Sequence, residues 1–149
     1  MSSATSPRGI DPRGPRVGAA LTSVLLIAAI VLGGTAGLVV LAVVVASFVL
    51  GTAGGVGRTW QALLYKRLVR PRLGPPSELE DPAPPRFAQA VGLLITGIGL
   101  VLALLGVAWA LPVFAGLALV AAFLNAVFGL CLGCEMYLLV LRLRGPRAT

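Results

Sequence analysis

Two long apolar stretches, separated by a charged and proline-rich segment, dominate the chain. Residues 17–57 contain no charged residue, and residues 87–140 contain only Glu135. Because one membrane span needs about 20 apolar residues, each stretch is long enough for two spans. The pattern therefore predicts four transmembrane helices.

Glycine divides the first stretch. The run of small residues at 33–37 supplies a tight turn, which gives a first span over 17–32 and a second over 38–57. Glycine pairs spaced four apart also favour close helix packing, since lipid offers no hydrophobic drive between helices. These pairs are Gly33 and Gly37, Gly51 and Gly55, and Gly129 and Gly133.

Tryptophan and proline divide the second stretch. Trp109 suits a membrane interface, and Pro112 suits the first turn of a helix. The third span then covers 87–108, and the fourth runs from Pro112 to the opposite face near Cys131. We expect this fourth helix to continue without a break to Leu143.

The segment between the two stretches has two parts. Residues 59–69 alternate apolar and basic side chains at helical spacing, which predicts a helix lying at the membrane interface. Residues 75–85 are rich in proline and predict an extended connector. The expected organisation is a flexible cytoplasmic tail (1–16), a two-span hairpin (17–57), the interfacial helix and connector (58–86), a second two-span hairpin (87–143) and a basic tail (144–149).

The two halves of the chain resemble each other. D-P-R-G-P-R at 11–16 matches D-P-A-P-P-R at 81–86 with an offset of 70 residues, and Gly57 and Tyr65 match Gly129 and Tyr137 with an offset of 72. In this register Thr59 and Ala62 take the places of Cys131 and Cys134. A common way of starting a helix would also explain the first match. A true duplication predicts two halves of the same orientation, related by an axis along the membrane normal.

Composition and charge support a membrane location. Hydrophobic residues make up 58% of the chain and charged residues 11%, whereas soluble domains carry about 25% charged residues. The fold class we predict is all-α, an integral membrane four-helix bundle built from two parallel two-span repeats. The net charge of +7 comes from residues at the ends of apolar runs, with no aromatic-interleaved basic patch, which argues against nucleic acid as a partner.

The basic residues also predict the orientation. All lie in the N-terminal tail, the central segment or the C-terminal tail, and neither hairpin turn contains one. The positive-inside rule therefore predicts that both termini are cytoplasmic. The chain contains no histidine, which excludes histidine-based triads and histidine metal ligands. It shows no motif for a cofactor.

Cys131 and Cys134 are the only cysteines, and they form a C-x-x-C motif. Positions three apart on a continuous helix have Cβ atoms about 5–6 Å apart, while a disulfide needs about 3.8 Å. A reduced dithiol fits such a helix, and a disulfide needs a local opening, which Gly133 would allow. A reducing cytoplasm argues against a permanent structural disulfide.

Several interpretations of the pair remain open. The cysteines are candidate redox or persulfide thiols, ligands of a soft metal shared with a second copy of the chain, or two small apolar residues packed in a helix. Glu135 is a candidate modulator, because a nearby carboxylate disfavours the thiolate. Asn125 is an amide inside the fourth span, and we predict that it forms a helix-to-helix hydrogen bond rather than a substrate contact.

The motifs resemble those of a known family. D-P-R-G-P-R, D-P-A-P-P-R-F-A-Q and above all G-L-C-L-G-C-E-M-Y, spread over residues 10–142, are similar to the bacterial integral membrane family called domain of unknown function 4395. The resemblance implies a small four-span inner-membrane protein with a C-x-G-C motif, matched by Cys131 and Cys134. It also implies association with thioredoxin-like or sulfurtransferase proteins.

The leading functional hypothesis is thiol–disulfide redox or persulfide handling through Cys131 and Cys134 at the cytoplasmic face. The expected partners are the lipid bilayer, a thioredoxin-like or sulfurtransferase protein, and a second copy of the chain. One alternative is a transporter or channel component for a sulfur species or soft metal, although ion pathways usually carry intramembrane charge. Another is a structural or partner-binding membrane protein without chemistry. The residues leave open whether the protein is an enzyme.

Overall fold

A computed structural model gives the fold and describes residues 9–145. The described part is all-α, with helices α1 (Arg13–Leu32), α2 (Gly34–Gly54), α3 (Trp60–Leu64), α4 (Arg70–Leu73), α5 (Ala83–Leu104), α6 (Ala110–Phe128) and α7 (Leu132–Leu143). A 3-10 turn, Val56–Arg58, precedes α3, and a π-helical turn, Tyr65–Val69, joins α3 to α4.

Four of these helices are long and apolar enough to cross a membrane. α1, α2, α5 and α6 have 19 to 22 residues and mean hydropathies of 2.0 to 2.5. Large apolar side chains remain exposed on their outer surface, with Val31 at 77% and Leu104 at 66%. An apolar surface of this extent requires lipid around it. The predicted all-α four-helix membrane bundle is therefore confirmed.

The core of the bundle is narrow and built largely from small side chains. Leu26, Leu41 and Val44 are its fully buried large residues. Ala29, Ala115 and Ala118 complete it together with Leu111. Such small residues let the backbones of membrane helices approach closely.

Each hairpin packs its first helix against the second helix of the other hairpin. α1 lies along α6 and α2 lies along α5, in addition to the contacts within each hairpin. Two arginines reinforce these pairs. Arg86 donates from Nε and Nη2 to the carbonyl oxygens of Thr52 and Ala53, at 2.7 and 2.9 Å. Arg16 donates from Nη2 to the carbonyl of Val127 at 3.3 Å.

These carbonyls belong to the last turns of α2 and α6. Carbonyl groups in the last turn of a helix have no N–H partner within that helix. Arg16 and Arg86 are the matched arginines of the two D-P-x-x-P-R segments. Each of them therefore closes the helix that ends the other hairpin. This reciprocity supports the predicted duplication.

The segment between the hairpins is helical over 60–73, longer than the predicted 59–69. Gln61 and Tyr65 are buried against the bundle, while Leu63 and Leu68 are exposed. Trp60 donates from Nε1 to the hydroxyl of Ser47 at 2.6 Å. The location of this helical segment at the membrane interface stays a prediction.

All four spanning helices begin earlier than expected, α2 at Gly34 rather than at residue 38 and α6 at Ala110 rather than at Pro112. α1 starts at Arg13, inside the predicted 1–16 tail, and residues 1–8 of that tail lie outside the described residues. α5 starts at Ala83, because proline fits the first turn of a helix and the carboxylate of Asp81 accepts the Ala83 N–H at 2.9 Å. The connector is therefore confined to residues 74–82.

The connector is also tied to the start of the chain. Ile10 and Glu80 exchange two backbone hydrogen bonds of 2.9 Å, as an isolated antiparallel bridge. Arg13 donates from Nη2 to the carbonyl of Gly74 at 3.0 Å. The segments that lead into the two hairpins are thus held side by side.

The prediction of one continuous helix from Pro112 to Leu143 is wrong. α6 ends at Phe128, and Gly129 follows in the left-handed conformation with φ 68°. The Gly129 N–H bonds back to the carbonyl of Asn125 at 3.0 Å, which is a glycine-ended helix terminus. The chain then turns, and α7 packs against α5.

The predicted glycine pairs divide into two roles. Gly33, Gly55 and Gly129 have positive φ and follow helix ends. Gly37, Gly51 and Gly133 lie where a side chain would collide with a neighbour. The prediction of close packing therefore holds for one glycine of each pair.

Candidate functional site

Cys131 and Cys134 meet at the start of α7. Cys131 is the N-cap residue, with φ −87° and ψ 101°, and its Sγ accepts the Cys134 N–H at 3.3 Å. The two Cα atoms are 5.2 Å apart, and the two sulfur atoms are joined as a disulfide. Because Cys131 stands outside the helix, the pair escapes the spacing that a continuous helix would impose.

The local opening comes from the turn at Gly129, not from Gly133 as expected. Gly133 is helical and lies in the first turn of α7. A Cβ atom there would stand 2.5 Å from the Cβ of Ala88 on α5. Gly133 thus allows α7 to approach α5, and so holds the cysteine pair against the bundle.

The pair is accessible from outside the bundle. Both cysteines are partly buried, and their neighbours Leu132 and Glu135 are exposed. The Glu135 N–H donates to the Cys131 carbonyl at 3.0 Å, and its carboxylate stands near the positive end of the helix, where it is stabilising. In residues 9–145 this carboxylate makes no hydrogen bond to either cysteine.

A cavity of about 890 Å³ extends inward from the cysteine pair between α1, α5 and α6. Ile95, Leu117 and Ala118 line its inner part. Leu117 lies eleven residues before the end of α6, which corresponds to about 16 Å along the helix axis. The cavity therefore reaches from the end of α6 to about the middle of the bundle.

Two side-chain amides, those of Asn125 and Gln89, lie on the cavity wall. Neither makes a hydrogen bond with another group in the described part of the chain, so the helix-to-helix bond predicted for Asn125 is not formed. The reason is that α7 packs on α5 and hardly touches α6, which leaves open space beside Asn125. Polar groups at this depth need a partner.

Sequence reasoning missed Gln89 as a site residue. The signal that could have found it is its position as the last residue of D-P-A-P-P-R-F-A-Q, at the start of an otherwise apolar span. An amide placed there has to meet another polar group or line a cavity.

The first half contains a corresponding arrangement without thiols. Thr59 is the N-cap of α3, and its Oγ1 accepts the Ala62 N–H at 3.1 Å. A smaller cavity, of about 310 Å³, lies beside it. Gln61 occupies the position that corresponds to Gly133, and its side chain is buried. Its Nε2 donates to the hydroxyl of Thr22 at 3.5 Å.

A polar cluster borders the smaller cavity. Tyr65 donates from Oη to Oδ2 of Asp11 at 2.5 Å, and Arg13 donates from Nη2 to the same oxygen at 2.9 Å. The hydrogen bond from Arg13 is the main reason why the pKa of Asp11 falls to about 2. Burial, followed by the bond to Asp11, raises the pKa of Tyr65. The second half lacks this cluster within the described residues, since Tyr137 packs against Phe87 with ring centroids 5.6 Å apart and the ring planes tilted by 52°.

The arrangement at Cys131 is suited to thiol chemistry. In the reduced state, a helix N-terminus favours the thiolate, which is the nucleophilic form. In the disulfide state, the 5.2 Å Cα separation lies within the usual range. Within residues 9–145 no group of three or more Cys, Asp or Glu side chains could hold a metal ion, so a metal at the pair would need ligands from a second chain.

No curated protein and no solved structure matches the chain. A family described as Domain of unknown function (DUF4395) matches residues 10–142, which include both hairpins and the cysteine pair. The chain belongs to this family.

Proposed function

We propose that the protein performs thiol–disulfide exchange or persulfide transfer through Cys131 and Cys134 at the cytoplasmic face of the inner membrane. The observation that carries the proposal is the N-cap position of Cys131, whose Sγ accepts the Cys134 N–H at 3.3 Å. This hydrogen bond would stabilise the thiolate after reduction. Both cysteine residues are only partly buried, which leaves room for a soluble partner to approach.

In the exchange reaction, a thiolate of the soluble partner attacks the Cys131–Cys134 disulfide. One S–S bond breaks as a mixed disulfide forms, and the displaced cysteine leaves as a thiolate. A second thiolate of the partner then releases the reduced pair and leaves the partner oxidised. In the persulfide variant, a partner's sulfane sulfur moves to one of the two thiolates and the partner leaves as a thiol.

The proposed side of the membrane follows from the charges. All the basic residues of the chain lie before residue 17, between residues 58 and 86, or after residue 141. The cysteine pair lies after α6, at the same end of the bundle as Arg16 and Arg86. A thioredoxin-like protein or a sulfurtransferase is the proposed partner, in keeping with a reducing compartment.

Differential alkylation with mass spectrometry in intact cells tests the proposal. We expect Cys131 and Cys134 to be partly oxidised or persulfidated, and the modified fraction to change when cellular thiols are depleted. A Cys134→Ser variant should accumulate a mixed disulfide with a soluble protein, because the resolving thiol is missing.

The matched variants are Cys131→Ser and Cys131→Ala. Serine keeps an N-cap acceptor and alanine removes it, which costs about 0.5–2 kcal/mol. Loss of exchange in both variants, with a stability loss only in the alanine variant, separates chemistry from folding. Both thiols reduced and unmodified under every growth condition would contradict the proposal.

The 890 Å³ cavity favours one second candidate, a transporter component for a sulfur species. Uptake of a labelled sulfur anion into proteoliposomes distinguishes the two functions. A redox protein moves nothing across the bilayer, whereas a transporter shows saturable uptake. In a Cys131→Ser, Cys134→Ser double variant this uptake persists only if the thiols are not part of the transport pathway.

A further inference from the structure

The cavity behind the cysteine pair combines an apolar wall with two amides that form no hydrogen bond within residues 9–145. Ile95, Leu117 and Ala118 provide apolar surface, while Asn125 and Gln89 provide polar groups nearer the cysteines. Its volume of about 890 Å³ lies within the range of small-molecule sites, about 300–1,000 Å³. Such sites typically pair apolar walls with a few orienting polar groups.

The lining restricts the ligand that would fit. Asn125 and Gln89 each offer an N–H₂ donor, which pairs with a neutral acceptor such as a carbonyl oxygen. The charged residues of the lining all lie at its cysteine end and are Arg13, Arg16, Glu80, Asp81 and Glu135. The inner part with Ile95 and Leu117 has none, so an anion would lack compensation there. The ligand should therefore be an apolar molecule with carbonyl oxygens.

The cavity is also accessible from the lipid side. Leu117 and Leu138 line it and are 56% and 40% exposed. A molecule dissolved in the bilayer can thus reach the inside of the bundle without crossing water. Cys131 and Cys134 line the same cavity.

We propose that this cavity binds a membrane quinone, whose carbonyl oxygens accept hydrogen bonds from Asn125 and Gln89, and that the bound quinone oxidises the Cys131–Cys134 dithiol. The binding step stands on the cavity alone. The oxidation step rests on the proposed thiol chemistry of the pair.

The oxidation balances without a further reactant. The two thiols lose their protons, one S–S bond forms, and two electrons pass to the quinone ring. The two quinone oxygens take up the two protons, which gives a quinol that leaves through the lipid. Thiols of the soluble partner then reduce the disulfide again. The protein would thus pass electrons from cytoplasmic thiols to the membrane pool of quinones.

The test uses the full chain in lipid nanodiscs under anaerobic conditions, with a short-chain ubiquinone as the probe. We expect saturable binding of one quinone per chain. Asn125→Leu removes one hydrogen bond and Ala121→Phe fills the cavity, and each should weaken binding by about tenfold. The matched control is Val120→Phe, whose side chain is 58% exposed on the same helix and does not line the cavity. It should bind as wild type.

A second measurement follows the redox step. The reduced wild-type protein should convert one quinone to quinol per chain as the disulfide forms. The Cys131→Ser, Cys134→Ser double variant should bind the quinone with wild-type affinity and form no quinol. Partitioning without saturation, or equal binding by Ala121→Phe and Val120→Phe, would show that acyl chains fill the cavity and would overturn the proposal.

The two proposals fail in different ways. A pair that exchanges with soluble thiols in cells, in a protein that neither binds nor reduces the quinone, overturns only the quinone site. Saturable quinone binding without quinol formation overturns the oxidation step. If the cellular alkylation experiment then also finds both thiols unmodified, the proposed thiol function fails as well.

Discussion

Cys131 performs two tasks with one side chain. Its Sγ caps α7 by accepting the Cys134 N–H, and the same sulfur forms half of the disulfide. Thr59 performs only the first task at the start of α3, with a bond of 3.1 Å. A residue that is needed for the helix start is held in a fixed position, which is also what a nucleophile requires.

The cluster around Asp11 makes a prediction about pH. The pKa of Asp11 is about 2 in the folded protein, against an ordinary value of 3.8, mainly because of the hydrogen bond from Arg13. A lowered pKa contributes stability above the ordinary value, and this contribution is lost as the pH falls through the folded value. We expect the free energy of unfolding in detergent to fall between about pH 4 and pH 2.

Two variants check this assignment. Asp11→Asn should be less stable at neutral pH and should lose less stability on acidification than wild type. Tyr65→Phe removes the 2.5 Å bond to Asp11, and its stability loss on acidification should be intermediate between those of wild type and Asp11→Asn. Tyr137→Phe, at the matching position of the second half, should follow the wild-type profile. Identical profiles for Asp11→Asn and wild type would refute the role of the cluster.

The helix that carries the cysteines is held in place by its first turn. Gly133 lets α7 approach Ala88 on α5, and this contact places the pair at the mouth of the cavity. The sequence predicts the spans well because their apolar runs are long. It does not distinguish Gly129 from Gly133, since a glycine that ends a helix and one that permits a contact look alike inside an apolar run.

Gly133→Ala should therefore destabilise the protein, by about 1–3 kcal/mol, because the new Cβ would stand 2.5 Å from the Cβ of Ala88. Thermal unfolding in detergent measures the loss, and faster reduction of the disulfide should accompany it. Gly97→Ala and Gly116→Ala are the controls, because a Cβ at either position meets nothing within 4 Å. Both should be neutral or stabilising by up to about 1 kcal/mol. A stability loss in the controls as large as that of Gly133→Ala would contradict the explanation.

At the scale of the whole molecule, the two hairpins are joined through equivalent contacts. Arg86 closes α2 and Arg16 closes α6, and the bridge between Ile10 and Glu80 joins the two segments that lead into the hairpins. These contacts place the arginines of the D-P-x-x-P-R segments at one end of the bundle. The hairpin turns at Gly33 and at residues 105–109 lie at the other.

Labelling of single cysteines tests the proposed orientation in a Cys131→Ser, Cys134→Ser background. A membrane-impermeant maleimide applied to spheroplasts should label Leu105→Cys, at the hairpin turn, where the side chain is 75% exposed. It should label Ser77→Cys, in the exposed connector, only after the membrane is opened. The reverse pattern would invert the orientation and place the pair outside the cytoplasm.

The candidate site was only partly predictable. Two cysteines in an otherwise unreactive chain identify the pair from the sequence. The cavity depends on a space left because α7 packs on α5 and hardly touches α6. Long-range packing of this kind leaves no pattern in the local sequence. The sequence therefore predicts a helix contact for Asn125 that does not form.

The matched helix starts at Thr59 and Cys131 bear on how such chemistry can arise. A hydroxyl and a thiol both accept the N–H three residues ahead, at 3.1 and 3.3 Å, so exchanging one for the other preserves the start of the helix. If both halves descend from one ancestral hairpin, a gene duplication freed one copy to change while the other kept the scaffold stable. A reactive centre could then evolve at little cost to folding, while the matching position in the other hairpin kept an unreactive residue.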